Sequence, residues 1–106
     1  MQISNENKIL SFIGLAKRAG KIVSGEKKVI SSLKTTECAL VILSEDASEN
    51  TKKKISDKCS FYKKDLLIFS DRFSLGKYTK KDYAVVLSVT DEGFSGRIKQ
   101  LSGILK

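Results

Sequence analysis

Hydrophobic residues recur along this chain at two alternating spacings. Between residues 5 and 19 they recur every three or four positions, the spacing of an amphipathic helix, and Gly20 marks its end. Between the helical stretches lie short apolar runs such as Ala39–Leu43, which is typical of a strand buried on both faces. The spacing predicts helices over residues 5–19, 25–35, 46–58, 71–79 and 93–105. It predicts strands over residues 21–23, 39–44, 66–69 and 83–89.

Strands therefore alternate with helices throughout the chain. This alternation is typical of βαβ units, in which helices cover both faces of a sheet. We expect an α/β fold, a three-layer α/β/α sandwich around a small mixed sheet of about four strands. The chain has 106 residues and no apparent linker, repeat or low-complexity segment, which predicts a single domain over residues 1–106.

Residues beside the predicted helices indicate how the helices begin and pack. Ser4 or Asn5 is placed to cap the first helix, and Ser24 the second. Asp46 and Glu49 have the spacing of a capping box before the third helix. The apolar residues expected to face inward from the last two helices are Phe73, Leu75, Phe94, Ile98, Leu101 and Leu105.

The charge balance indicates a class of partner. Lys and Arg number 20 against 12 Asp and Glu, so the formal net charge is +8 and the isoelectric point is about 9.6. A domain this basic is typical of proteins that bind a polyanion such as nucleic acid. The alternatives that this charge leaves open are one that serves only solubility, or a basic face that docks a membrane surface or an acidic protein.

The residue types present favour neither an enzyme nor a metal protein. The chain has no histidine, which removes the commonest general base and every nucleophile pair that depends on one. Its two cysteines, Cys38 and Cys59, lie far apart in the sequence and cannot close a zinc shell alone. We expect them to be small buried residues in a reducing compartment. No cofactor is implied.

Membrane and targeting signals are not visible in the sequence. No stretch approaches the roughly 18 apolar residues of a membrane span. The first residues, MQISNENKIL, lack the apolar core of a signal peptide. We therefore expect a cytoplasmic protein with no membrane partner.

The segment Gly20–Lys27 carries the candidate chemistry. It does not fit the phosphate-binding loop of nucleoside triphosphatases, because Glu26 follows Gly25 where that motif needs Lys. Gly25 instead lets a partner approach the backbone, and the free N–H groups at the start of the next helix attract phosphate or carbonyl oxygens. Glu26 can accept hydrogen bonds from a base edge. The basic residues placed to hold phosphates around it are Lys17, Arg18, Lys21, Lys27 and Lys28.

These charged residues also have plainer interpretations. Glu26 fits a first-turn acid that the helix dipole stabilises among solvated lysines. The consecutive residues Lys52–Lys54 fan over about 200° of a helix, so they cannot all face one ligand and solvation explains most of them. Helix capping accounts for Glu45 and Asp46.

Four segments of the chain together resemble one protein family. They are GLAKRAGKIVSGEKKV, LVILSEDASENTKKKISDKC, SLGK and AVVLSVTDEGF. In this combination and order they resemble the ribosomal protein L7Ae, or kink-turn RNA-binding, family, and most of all its bacterial YlxQ-like branch. The resemblance extends from about Ile9 to Leu101. It implies an α/β/α sandwich that binds structured RNA near sheared G·A pairs.

The resemblance also implies site residues. Glu26 matches the base-reading glutamate of the family. The same recognition turn contains Ser24, Gly25 and Lys28. An acidic pair that flanks the turn is matched by Glu45 and Asp46. The loop before the last strand, which better-known members line with aliphatic residues, consists here of Lys80, Lys81, Asp82 and Tyr83.

Three departures from the family pattern bear on specificity. Gly25 stands where kink-turn specialists carry Asn, and Val29 stands where they carry Lys, although Lys28 is adjacent. A polar loop with only Tyr83 as an aromatic replaces their apolar loop. Each lost base contact costs on the order of 1–3 kcal/mol of discrimination. Three such losses are enough to erase kink-turn specificity while leaving general affinity for RNA.

The resulting hypothesis is an RNA-binding, ribosomal-protein-like module that acts on ribosomal or other structured non-coding RNA. The ribosome or translation factors are further candidate partners. Single-stranded or bulged RNA should be preferred over plain duplex, because the major groove of A-form RNA hides the base edges. The alternative is a protein-interaction module of the translation machinery with a basic docking face.

Overall fold

The computed structural model describes residues 5–103, which form five helices and four strands. In chain order these are α1 (Asn5–Arg18), β1 (Ile22–Ser24), α2 (Glu26–Leu33), β2 (Leu40–Leu43), α3 (Glu49–Phe61), β3 (Leu66–Ile68), α4 (Arg72–Tyr78), β4 (Val86–Val89) and α5 (Glu92–Ser102). The predicted alternation of helices and strands is confirmed. The predicted cap Ser4 and the predicted apolar residue Leu105 lie outside the described residues. Within 5–103, no helix is long and apolar enough to cross a membrane.

The strands form one mixed sheet in the order β1-β4-β2-β3. β2 and β3 are parallel, whereas β4 is antiparallel to both of its neighbours, β1 and β2. The central strands β2 and β4 are buried at every position, and the outer strands β1 and β3 are partly exposed. This position in the sheet explains the uninterrupted apolar run that predicted β2.

Successive side chains of the central strands enter two separate cores, because alternate residues point to opposite faces of a sheet. Leu40 and Ile42 pack with residues of α1, α4 and α5, among them Ile9, Ile13, Leu75 and Ile98. Val41 and Leu43 pack with residues of α2 and α3, among them Val29, Leu33, Ile55 and Cys59. The expected three-layer α/β/α sandwich is therefore confirmed, with three helices on one face and two on the other.

Two predicted helix caps are wrong. Ser24 stays in β1, so Gly25, with φ 98°, takes the N-cap position of α2 and no side chain caps this helix. At α3, the Ser48 hydroxyl accepts a hydrogen bond from the backbone N–H of Thr51 and takes the capping position predicted for Asp46. The helix begins later than predicted because residues 44–47 form a turn.

One predicted core residue is exposed. Phe73 was expected to face inward with Leu75, but its exposure is 66%, whereas Leu75 is fully buried. Two residues that are two positions apart in a helix differ by about 200° in direction, so the short helix α4 cannot bury both. The expectation that the cysteines are buried is confirmed for Cys38 and Cys59, and both are free thiols.

Candidate nucleic-acid interface

A cleft of about 510 Å³ lies between the start of α2 and the segment that leads into β4. The backbone N–H of Gly25 donates a hydrogen bond to the carbonyl oxygen of Val86, with 3.3 Å between the two atoms, and so joins its two sides. Residues of the predicted site that line the cleft are Ser24, Gly25, Glu26, Lys81, Asp82 and Tyr83. The fold thus brings the recognition turn and the polar loop together, although they are far apart in the sequence.

The first turn of α2 presents free backbone donors. Among the helices whose N-cap residue is described, three are capped by a side chain, from Ser48, Asp71 or Asp91. No side chain caps α2. The first bond within the helix joins the N–H of Val29 to the carbonyl of Gly25 at 2.9 Å. The N–H groups of residues 26–28 therefore have no partner within the described chain. Such donors at a helix N-terminus favour a phosphate or carbonyl oxygen as ligand.

Ser24 and Gly25 add two further features to this turn. The Ser24 hydroxyl is buried and has no hydrogen-bond partner among residues 5–103. Gly25 has the positive φ of 98° that residues with a side chain rarely adopt, and no atom lies within 4 Å of the place where a Cβ would stand. The turn is therefore open beside Gly25, and a ligand can approach its backbone closely.

Glu26 is held by a lysine that the sequence did not assign to the site. The Nζ atom of Lys54 lies 3.6 Å from Oε1 of Glu26, and both side chains are partly exposed. Thr51, which lines the cleft, lies three residues before Lys54, so the two side chains are neighbours on the surface of α3. This spacing in α3 is visible in the sequence, but it does not reveal which carboxylate lies opposite Lys54.

The lysine run of α3 is largely neutralised by ion pairs. Because the three side chains fan around the helix, each contacts a different carboxylate. The pairs are Lys52–Glu49, Lys53–Asp57 and Lys54–Glu26, with N–O distances of 3.9, 3.4 and 3.6 Å. The most conspicuous basic segment of the sequence therefore contributes little unpaired charge.

The basic residues of the predicted RNA-binding site are distributed over more than one surface. None of them forms an ion pair with a described residue, and the set comprises Lys17, Arg18, Lys21, Lys27, Lys28, Lys80 and Lys81. Lys27 and Lys28 are exposed in the first turn of α2, and Lys81 lines the cleft. Arg18 and Lys80 line a separate groove between α1 and α4, while Lys17 and Lys21 line neither cavity.

The acidic pair lies beside α4 and does not line the cleft. Asp46 accepts a hydrogen bond from the backbone N–H of Arg72 at 3.2 Å and forms an ion pair with its Nε at 3.3 Å. Partial burial raises the pKa of Asp46, but the Ser44 hydroxyl and the N–H and guanidinium of Arg72 outweigh it and hold that pKa below its ordinary value. Glu45 is exposed, and its backbone N–H bonds to the Ser70 carbonyl at 2.7 Å.

The comparison with known families identifies the class of protein. Residues 7–99 match the model of the Ribosomal protein L7Ae/L30e/S12e/Gadd45 family, and the chain belongs to this family. It is similar to the RNA-binding protein YlxQ of Bacillus subtilis (strain 168), with 45% identity over 89 residues that cover 84% of this chain and 89% of that protein. It is also similar to the RNA-binding protein YlxQ of Enterococcus faecium, with 37% identity over 105 residues that cover 95% of this chain and 97% of that protein.

Solved structures share the fold. A protein of unknown function from Bacillus halodurans superposes with a TM-score of 0.87 at 40% sequence identity, covering 91% of this chain and 97% of its own. The Giardia lamblia 15.5kD RNA binding protein superposes with a TM-score of 0.80, covering 99% of this chain and 90% of its own. Its sequence identity is only 13%, so this second likeness concerns the fold alone.

Proposed function

We propose that this chain is a binding protein for structured RNA and uses the cleft between α2 and residues 81–83. The observation that carries the proposal is that one cleft contains a carboxylate, an uncapped helix N-terminus, a lysine and an exposed tyrosine. Both YlxQ relatives are RNA-binding proteins by name, which supports the same ligand here. Binding requires no chemical step, so the proposal includes no catalytic residue.

Each group in the cleft has a role in this proposal. Glu26 accepts hydrogen bonds from a base edge, and its ion pair with Lys54 positions the carboxylate. The free N–H groups of α2 bind a phosphate or carbonyl oxygen, and Lys28 and Lys81 contact phosphates. Tyr83 is 59% exposed, which leaves its ring accessible for stacking on an unpaired base.

The proposed target is an internal loop with G·A pairs in ribosomal or other non-coding RNA. Val29 is fully buried, so it does not reach a ligand in place of the lysine that kink-turn specialists carry there, and the exposed Lys28 is the candidate substitute. Gly25 and the polar loop also lack base contacts that kink-turn specialists make. We therefore propose that the chain binds kink-turns with modest selectivity over other RNA.

Fluorescence anisotropy at one fixed near-physiological salt concentration tests the proposal. Three RNAs are compared: a kink-turn, the same strand with its G·A pairs mutated, and a plain duplex. Binding to the kink-turn at least tenfold tighter than to both controls, about 1.4 kcal/mol, is the expected result. Equal binding to all three would overturn the G·A readout and leave RNA binding in place.

Substitutions test the site itself. Glu26→Gln and Lys28→Ala should each weaken binding to the kink-turn. Lys54→Ala separates positioning from base reading, because it breaks the ion pair and keeps the carboxylate, and it should weaken binding less than Glu26→Gln does. Unchanged affinity in both cleft variants would show that the site lies elsewhere. A partner that survives RNase treatment of a pull-down would favour the protein-docking alternative.

A further inference from the structure

A second groove, of about 440 Å³, lies between α1 and α4. On α1 it is lined by one helical face that includes Gly14, Leu15 and Arg18. On the other side it is lined by Lys77 and Tyr78 of α4 and by Lys80 of the following turn. The helices approach closely here, because a Cβ on Gly14 would already stand 3.4 Å from Cδ1 of Tyr78.

This groove is positively charged and its charges are unpaired. Arg18, Lys77 and Lys80 line it, and no carboxylate is among its lining residues in the described chain. None of these three cations forms an ion pair within residues 5–103. Unpaired cations in a concave surface are suited to the phosphates of a nucleic acid, since binding there breaks no existing ion pair.

One tight turn separates the groove from the cleft described above. Lys80, with φ 60°, lines the groove, and the next residue, Lys81, lines the cleft. The carbonyl of Gly76 fixes the turn by accepting hydrogen bonds from the N–H groups of Thr79 at 3.0 Å and Lys81 at 2.9 Å. A ligand that fills the cleft and continues past this turn enters the groove.

We propose that the groove binds the phosphates of an RNA stem that flanks the motif held in the cleft, through Arg18, Lys77 and Lys80. This inference rests on the proposed function and extends it to a second surface. Because the proposed contacts are to phosphates, which carry no sequence information, they are independent of the sequence of the stem. Lys77 and Tyr78 become part of the RNA interface.

Affinity measurements over a range of salt concentrations test this inference. Two kink-turn RNAs are used, identical at the motif, one with flanking stems longer by a full helical turn. The wild-type protein should bind the longer RNA more tightly. The double variant Arg18→Gln/Lys77→Gln should lose that advantage, while its affinity for the shorter RNA stays near wild type. For the longer RNA, the slope of log affinity against log salt concentration should become shallower by roughly 1.4 to 1.8, the contribution of two phosphate contacts.

A matched double variant controls for net charge. Lys34→Gln/Lys58→Gln removes the same charge from exposed positions outside the cleft and the groove, and should leave the advantage of the longer RNA intact. Equal losses in both double variants, or no loss in Arg18→Gln/Lys77→Gln, would overturn the inference while the proposed function stands. If the wild-type protein binds neither RNA, this inference and the proposed function are both contradicted.

Cross-linking gives an independent readout. Cys38 and Cys59 are buried, so a cysteine introduced at Lys77 is the reactive thiol to which a photoactivatable group attaches. Lys77→Cys should cross-link to nucleotides of the stem, and Lys58→Cys should not. Cross-links from Lys77→Cys only to motif nucleotides would contradict the proposed path of the stem.

Discussion

A Cβ atom on Gly76 would stand 2.6 Å from the Cα atom of Tyr83. Helix α4 and the segment before β4 therefore pack backbone against backbone, and the added carbon would also stand 2.9 Å from the carbonyl oxygen of Lys81. Any side chain at Gly76 must displace this segment. Since Lys81 and Tyr83 line the cleft, one glycine of α4 determines the position of a wall of the candidate site.

Gly76→Ala is therefore expected to reduce both stability and RNA affinity. The free energy of unfolding should fall by about 1–3 kcal/mol, the usual cost of overpacking, as measured by urea denaturation. Gly96→Ala is the control, because no atom lies within 4 Å of its added Cβ in α5 and it should gain roughly 0.5–1 kcal/mol. If both substitutions are tolerated equally, the close packing of Gly76 is contradicted.

Gly25→Asn restores the residue of kink-turn specialists but is not expected to restore their selectivity. The backbone at Gly25, with φ 98° and ψ 144°, lies outside the left-handed helical region that Asn tolerates. The strain should cost about 1–3 kcal/mol of stability. Gly25→Ala carries the same strain without the amide, so thermal unfolding of the two should agree. A kink-turn affinity higher in Gly25→Asn than in wild type would contradict this expectation.

Stability should fall at low pH through the N-cap of α4. The N–H and hydroxyl of Ser74 and the N–H of Phe73 bond the Asp71 carboxylate and hold its pKa below the ordinary value of 3.8, against the opposing effect of partial burial. As the pH falls, the unfolded chain binds the proton first. This stabilisation is present above about pH 4 and is lost as the pH passes through the lower pKa of the folded state.

Asp71→Asn isolates this effect, because Asn keeps a capping oxygen and does not ionise. Its unfolding temperature should decline less than that of wild type between about pH 4 and pH 2. Identical declines in the two proteins would show that Asp71 does not contribute.

The cysteines should resist thiol reagents in the folded protein. Burial raises the pKa of Cys59 to about 11, with a further contribution from Cys38, so Cys59 remains a protonated thiol at ordinary pH. At about pH 8, labelling should be far slower in the native protein than in denaturant. Rapid labelling of native protein would mean that the core opens more readily than this packing allows.

The order of elements could be predicted from the sequence because each element buries a continuous stripe, such as Ile9 and Ile13 on α1. The strand boundaries were less accurate. β4 begins at Val86, three residues later than predicted, because residues 83–85 form the wall of the cleft and do not pair in the sheet. The apolar pattern cannot show whether residues 83–85 pair in the sheet or form the wall of the cleft, since Ala84 is buried in either case.

The candidate site can be predicted from the sequence only where its residues are neighbours in the chain or belong to a family pattern that the chain resembles. The turn around Glu26 and the loop at Lys81 become candidates in this way. Lys54 could not be assigned to the candidate site from the sequence, because its partner Glu26 lies on another helix and three consecutive lysines look alike. Arg18 was grouped with the residues around Glu26, although it lines the separate α1–α4 groove.

The bond from the Gly25 N–H to the Val86 carbonyl has a thermodynamic consequence. It joins a segment near residue 25 to another near residue 86, so the cleft exists only in the folded chain. A ligand of the cleft binds the native state and does not bind the unfolded state, so its binding and the folding of the chain are linked equilibria. At a hundredfold excess over its dissociation constant, such a ligand adds about 2.7 kcal/mol to the free energy of unfolding. The amount of folded protein would then follow the concentration of its RNA.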